Sequence, residues 1–164
     1  ITLDEGVVVE QPEGSAPAEG ATTAGTRENP YAVGSTITGD EWSVTINSVT
    51  TGATDAVLAA NQFNSAPEAG HEFILINYTA TYVGDDADGE MAAFTSVEYV
   101  TAGGVTVNSF AHPAVAPDEI DTMTTLYNGA SVTGNTAIAV PTPVDGVLAV
   151  RAGAFADTVF VAIK

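Results

Sequence analysis

The chain contains no cysteine. That excludes disulfides, thiolate metal sites and a thiol nucleophile, so the fold must be held by packing alone. Positive charge is almost missing as well: Arg27, Arg151 and Lys164 stand against 21 acids, for a net charge of −18. Such a surface repels phosphates and anionic headgroups, which excludes nucleic acid as a partner and leaves cationic partners and divalent ions. No apolar run approaches the ~18–20 residues that a spanning helix needs. The only histidines, His71 and His112, fall in neither an H-x-x-H nor an H-E-x-x-H spacing, and there is no G-x-S-x-G elbow. Zinc and serine hydrolysis therefore lack their usual motifs.

What is present is apolar and β-branched. A chain of 164 residues with 45% hydrophobic residues suits one domain with a real core. Residues 1–28 differ from the rest, being rich in Pro, Gly, Ala, Ser, Thr and Glu without periodicity. They hold six acids and Arg27, a net of −5. This composition predicts a flexible acidic tether, with one alternative: "GVVVE", Gly6 to Glu10, could pair with a sheet edge. The chain opens at Ile1, as expected of a form from which an export signal has been removed.

From Asn29 to Lys164 the pattern is β. In "WSVTINSV", Trp42, Val44 and Ile46 alternate with Ser43, Thr45 and Asn47, and Val49 falls out of step, which predicts a bulge near Ser48. "HEFILINYTATYVG" puts Ile74, Ile76, Tyr78, Ala80 and Tyr82 on one face. The other face starts apolar at Phe73 and Leu75 and turns polar at Asn77, Thr79 and Thr81, as expected of a central strand. Further strands are predicted over Phe94–Thr101, "GVTVNSF", "ASVTGNTAIAVP", "GVLAVRA" and "DTVFVAIK". Pro141 and Pro143 should end or edge a strand. "TDAVLAANQF" reads as one short helix that Thr54 or Asp55 could cap. Many strands with one helix predict an all-β antiparallel sandwich.

Three blocks, "NPYAVGSTITGDEWSVTINSV", "ANQFNSAPEAGHEFILINYTATYVG" and "GASVTGNTAIAVP", resemble successive parts of a large bacterial family of uncharacterised domains. Its members are mostly secreted or lipid-anchored proteins of Gram-positive bacteria, actinobacteria especially. The family is similar to a mycobacterial secreted immunogenic protein with an immunoglobulin-like fold. The resemblance covers Asn29 to Lys164. It implies an immunoglobulin-like sandwich on the outside of the cell, anchored through a lipidated cysteine upstream of Ile1. It carries no catalytic residues over to this chain.

Two acidic loops are the candidate sites. "VGDDADGEM" places Asp85, Asp86, Asp88 and Glu90 in one turn. With Gly89 at loop position 6, an EF-hand would need ligands at Gly84 and Thr95, so the spacing is not that of an EF-hand. The four residues are either a solvated turn or a loose, weak calcium site. "APDEIDTM" adds Asp118, Glu119 and Asp121, which could join the first loop in space. Tyr31, Trp42, Tyr78, Tyr82, Tyr99 and Tyr127 would stack sugars if exposed, but their positions on strand faces favour the core. The expectation is a non-enzymatic, extracellular binding module for a protein or glycan at the cell surface. Its alternatives are a calcium- or carbohydrate-binding module and, behind those, a hydrolase.

Overall fold

The computed structural model describes residues 8–10 and 25–164. The chain is an antiparallel β-sandwich with one short helix. Its elements run β1 (Val8–Glu10), β2 (Thr36–Thr38), β3 (Trp42–Thr50), α1 (Thr54–Ala60), β4 (His71–Tyr82), β5 (Glu90–Met91), a 3-10 turn (Ala92–Phe94) and β6 (Ser96–Val100). They continue with β7 (Thr106–Val107), β8 (Thr125–Leu126), β9 (Ser131–Pro141), β10 (Val147–Arg151) and β11 (Thr158–Ala162). One sheet has the order β1-β2-β3-β4-β9 and the other β11-β10-β6-β7, while β5 and β8 form a separate two-stranded ribbon.

Period-2 patterning sets which residues meet between the sheets. Trp42, Val44 and Ile46 of β3 and Ile74, Ile76, Tyr78, Ala80 and Tyr82 of β4 point inward. There they pack with Leu148, Val150, Val159 and Val161 of the opposite sheet. Most of these side chains are fully buried, each stabilising the fold by about 1.5–3 kcal/mol relative to exposure. The register of β3 on β4 shifts between Ile46 and Ser48, so the expected bulge sits at Asn47. It brings Val49 opposite Ile76.

β4 lies between β3 and β9, the central position that its two-sided apolar start predicts. Its outer face is divided. Phe73 and Leu75 are covered with Ala137 and Ala139 in a second core that also takes Val57 of α1. Beyond them the face is a polar lattice. Asn77 donates to Asn135 at 3.0 Å and accepts from Asn47 at 2.9 Å, and the hydroxyls of Thr79 and Thr133 meet at 2.7 Å. Paired amides and hydroxyls let this face meet water without unsatisfied groups.

The structure differs from expectation at several places. Neither Thr54 nor Asp55 caps α1: the N-cap is Ala53, with no side-chain bond. Thr54 Oγ1 instead accepts from Phe73 N at 3.0 Å and ties the helix to the central strand. The strand expected over Phe94–Thr101 begins at Ser96, because Ala92–Phe94 closes a 3-10 turn first. Val8–Glu10 pair with Thr36–Thr38, the alternative raised for "GVVVE". Residues 1–7 and 11–24, most of the expected tether, lie outside the described residues. Gly25 is tied to the sandwich ahead of Asn29: Phe160 N donates to Gly25 O at 3.0 Å, and Gly25 N to Asn29 O at 2.8 Å.

Candidate functional site: an acidic pocket with aromatic walls

The tight β2–β3 and β10–β11 connections belong to opposite sheets, yet they meet at one end of the sandwich. Gly39 N donates to Trp42 O at 2.8 Å and closes the first hairpin, leaving Asp40 and Glu41 at its tip. The second runs through Gly153, whose φ of +124° is costly for any side chain, and closes with Ala156 N donating to Gly153 O at 3.2 Å. A Cβ on Gly39 would stand 2.8 Å from Ala152 O, so only glycine lets the two turns approach. Between them and the loop after β4 opens a pocket of about 700 Å³.

Six acidic residues line it: Asp40 and Glu41 from the first turn, Asp85 and Asp86 from the loop, Glu90 from the start of β5, and Asp157 from the second turn. Trp42, Phe94 and Phe155 supply the aromatic part of the lining. Phe155 is fully exposed at the tip of its turn, and Phe94 is 47% exposed.

Backbone bonds fix the loop over the first hairpin. Val83 N and Gly84 N both donate to Glu41 O, at 2.8 and 3.1 Å. The Tyr82 hydroxyl donates to Glu41 Oε2 at 3.2 Å and accepts from Asp86 N at 3.2 Å, so one buried phenol positions two of the acids. A Cβ on Gly84 would lie 2.6 Å from that hydroxyl, which leaves no room for a side chain there. Glu90 is held above its ordinary carboxyl range, by burial first, then by the charge of Glu41 and a hydrogen bond with it, then by Asp86.

Trp42 is fully buried at the base of this end, tilted against Tyr82 with ring centroids 5.2 Å apart. Its Nε1–H has no hydrogen-bond partner among the described residues. An unpaired buried donor costs about 1–3 kcal/mol. The ring carbon bonded to it, Cδ1, lies 3.7 Å from where a Cβ on Gly153 would stand, so this indole edge faces the turn in the pocket wall.

The structure separates the residues singled out in the sequence. Asp85, Asp86 and Glu90 come together at the pocket, whereas Asp88 is not in its lining. Asp88 N donates to Asp86 Oδ1 at 2.9 Å and Gly89 N to Asp86 O at 3.0 Å, the bonding of a tight Asx turn. Among the described residues no group of three or more His, Asp or Glu side chains is placed to hold a metal ion. Asp118, Glu119 and Asp121 do not line the pocket. Asp121 folds onto its own loop, accepting from Met123 N and Thr124, which holds its carboxyl below the ordinary range.

Tyr31, Tyr78, Tyr82 and Tyr99 are buried, while Tyr127 is 57% exposed. His112 Nε2 lies 3.1 Å from Ser65 O and 3.2 Å from Ser65 Oγ.

Asp40, Glu41, Asp157, Phe94 and Phe155 were not singled out in the sequence. Two cues for them stand there: acids at the tip of "TGDEW", and a lone Phe among small turn residues in "RAGAFAD". Set beside protein-family models, curated proteins and solved structures, the chain matches none of them.

Proposed function

We propose that the chain is a non-enzymatic, extracellular binding module on an immunoglobulin-like scaffold, and that the acidic pocket is its recognition site for a positively charged partner at the cell surface. One observation carries the reading: six acidic residues line a single pocket that also has aromatic walls. Low-dielectric walls focus the field of such a cluster and raise the local concentration of cations. The chain net charge of −18 adds long-range attraction of the same sign. Hairpin turns from two sheets hold the pocket, so its geometry is set before a partner arrives.

In this account the module meets the membrane only through a lipid anchor upstream of Ile1, as the family resemblance implies. The sandwich positions the pocket, and no covalent chemistry is assigned to it.

A second reading, weak calcium binding, draws on the raised carboxyl of Glu90 beside the charges of Glu41 and Asp86, which a divalent ion would relieve. Neutral glycans form a third class to be tested beside it.

Trp42 is the only tryptophan and lines the pocket, so its fluorescence reports occupancy. Titration with calcium, polyamines, basic peptides and neutral glycans at constant ionic strength tests the proposal. Saturable change with a cationic ligand, weakened by Glu41→Gln with Asp86→Asn, is the expected result. Saturation by neutral glycans alone, untouched by these substitutions, would displace it.

A further inference from the structure

The pocket has more features than attraction of charge requires, and together they describe a ligand. Resting on the reading above, we infer that it takes the basic side chain of a peptide: an N–H-donating cation on an apolar stem, with a carbonyl oxygen close by.

Each part of that ligand answers a feature of the site. The cation answers the six acidic residues of the lining, and N–H donors on it would find carboxylate acceptors among them. A bare metal ion is a poorer match. The cavity is about 700 Å³, and among the described residues no three acids are placed to ligate one ion.

The apolar stem answers the rest of the lining. Phe94, Phe155 and three alanines, Ala152, Ala154 and Ala156, give the walls an apolar part that a hydrated ion could not use. Basic side chains bury their methylenes along such walls while keeping the charged head among acceptors. The two phenyl faces add attraction for a cation close to them. Phe155 is fully exposed on its turn, where packing within the chain gives no reason for a large apolar side chain.

The carbonyl oxygen answers Trp42. Its Nε1–H is a donor only, is buried, and has no partner among the described residues. The indole edge that carries it faces Gly153, which has no side chain to cover it. The Nε1 atom is closed to solvent in the free chain, so a peptide carbonyl would have to press in beside that turn to supply the missing acceptor. A simple alkylamine would not, so the peptide should bind more tightly than the amine alone.

The test uses isothermal titration calorimetry on the full chain at fixed ionic strength, with four probes. These are blocked Gly-Lys-Gly, blocked Gly-Arg-Gly, blocked Gly-norleucine-Gly and n-pentylamine, with calcium chloride run beside them. Saturable one-to-one binding of the two basic peptides is expected. Affinity should fall by at least about tenfold for norleucine, and by a similar factor in Asp40→Asn with Asp157→Asn, since each removes charged hydrogen bonds. Pentylamine should bind more weakly than the lysine peptide, and Phe155→Ser should weaken both basic peptides without changing the melting temperature. If calcium saturates the pocket and the basic peptides do not, the peptide inference is overturned while the pocket remains a cation site. If no cation binds above the salt control, both fall. Equal affinity for the norleucine and lysine peptides would also overturn the inference.

Discussion

Replacing Trp42 by phenylalanine and by alanine separates two contributions of one side chain. The indole is fully buried and packs on Tyr82 at 5.2 Å. Truncation to alanine removes that packing and leaves a cavity, at a cost of about 3–5 kcal/mol. Phenylalanine keeps most of the packing and loses about two ring carbons, worth about 1.6 kcal/mol at about 0.8 kcal/mol each. It also removes the Nε1–H that has no partner among the described residues, which returns about 1–3 kcal/mol. The net change for Trp42→Phe should therefore lie within about 1–1.5 kcal/mol of zero, while Trp42→Ala is strongly destabilising. Urea denaturation followed by far-ultraviolet circular dichroism measures both, since the substitutions remove the only tryptophan fluorophore. With a slope of about 1–3 kcal/mol per molar urea, the alanine variant should shift its midpoint down by about 1 M or more. A phenylalanine variant that loses about 3 kcal/mol or more would show that the indole N–H is satisfied in the native state. The account of an acceptor-seeking donor at the pocket base would then be wrong.

Mild acidification should stabilise the fold through Glu90, in the window between its raised folded value and the 4.5 of an unperturbed glutamate, while the lowered carboxyl of Asp121 works the other way in stronger acid. Glu90 is held above the 4.5 of an unperturbed glutamate, so between the two values the folded chain binds more protons than the unfolded chain. Its contribution falls as pH rises through the folded value and is regained below it. The melting temperature should rise on mild acidification, and Glu90→Gln should flatten that rise. Gly84→Ala should cost about 1–3 kcal/mol in chemical denaturation, because the new Cβ would lie 2.6 Å from the hydroxyl of buried Tyr82. Residues 29–164 hold fifteen acids and two bases, so monovalent salt should raise the melting temperature by screening, whatever the cation. A rise with calcium alone would point to specific binding instead.

Strand patterning made the fold legible and left the site mostly hidden. The alternation in β3 and the two-sided apolar start of β4 depend only on neighbours in the chain, so they located the strands, the bulge and the central position. Shorter elements had no such signal. β5 and β8 have two residues each and exist because a partner segment lies beside them, whereas β7, Thr106–Val107, is the part that forms of the strand expected over "GVTVNSF". Thr54 looked like a cap because its type and place suit one, but the amide of Phe73, nineteen positions away, took its oxygen instead. Asp85, Asp86 and Glu90 stood out as a local cluster. The other half of the pocket comes from turns between β2 and β3 and between β10 and β11, more than a hundred residues apart in the chain. No local pattern links Asp40 with Asp157, since only the packing of two sheets brings their turns together.

Amide chemical-shift mapping with a saturating basic tripeptide tests the central claim most directly. If the pocket is the recognition site, the perturbed amides should cluster at Gly39–Trp42, Asp85–Glu90 and Ala152–Asp157, with the Trp42 indole N–H among the largest shifts. Small shifts spread evenly over the acidic surface, with Asp118–Asp121 moving as much as the pocket, would contradict it and reduce the interaction to general attraction by net charge.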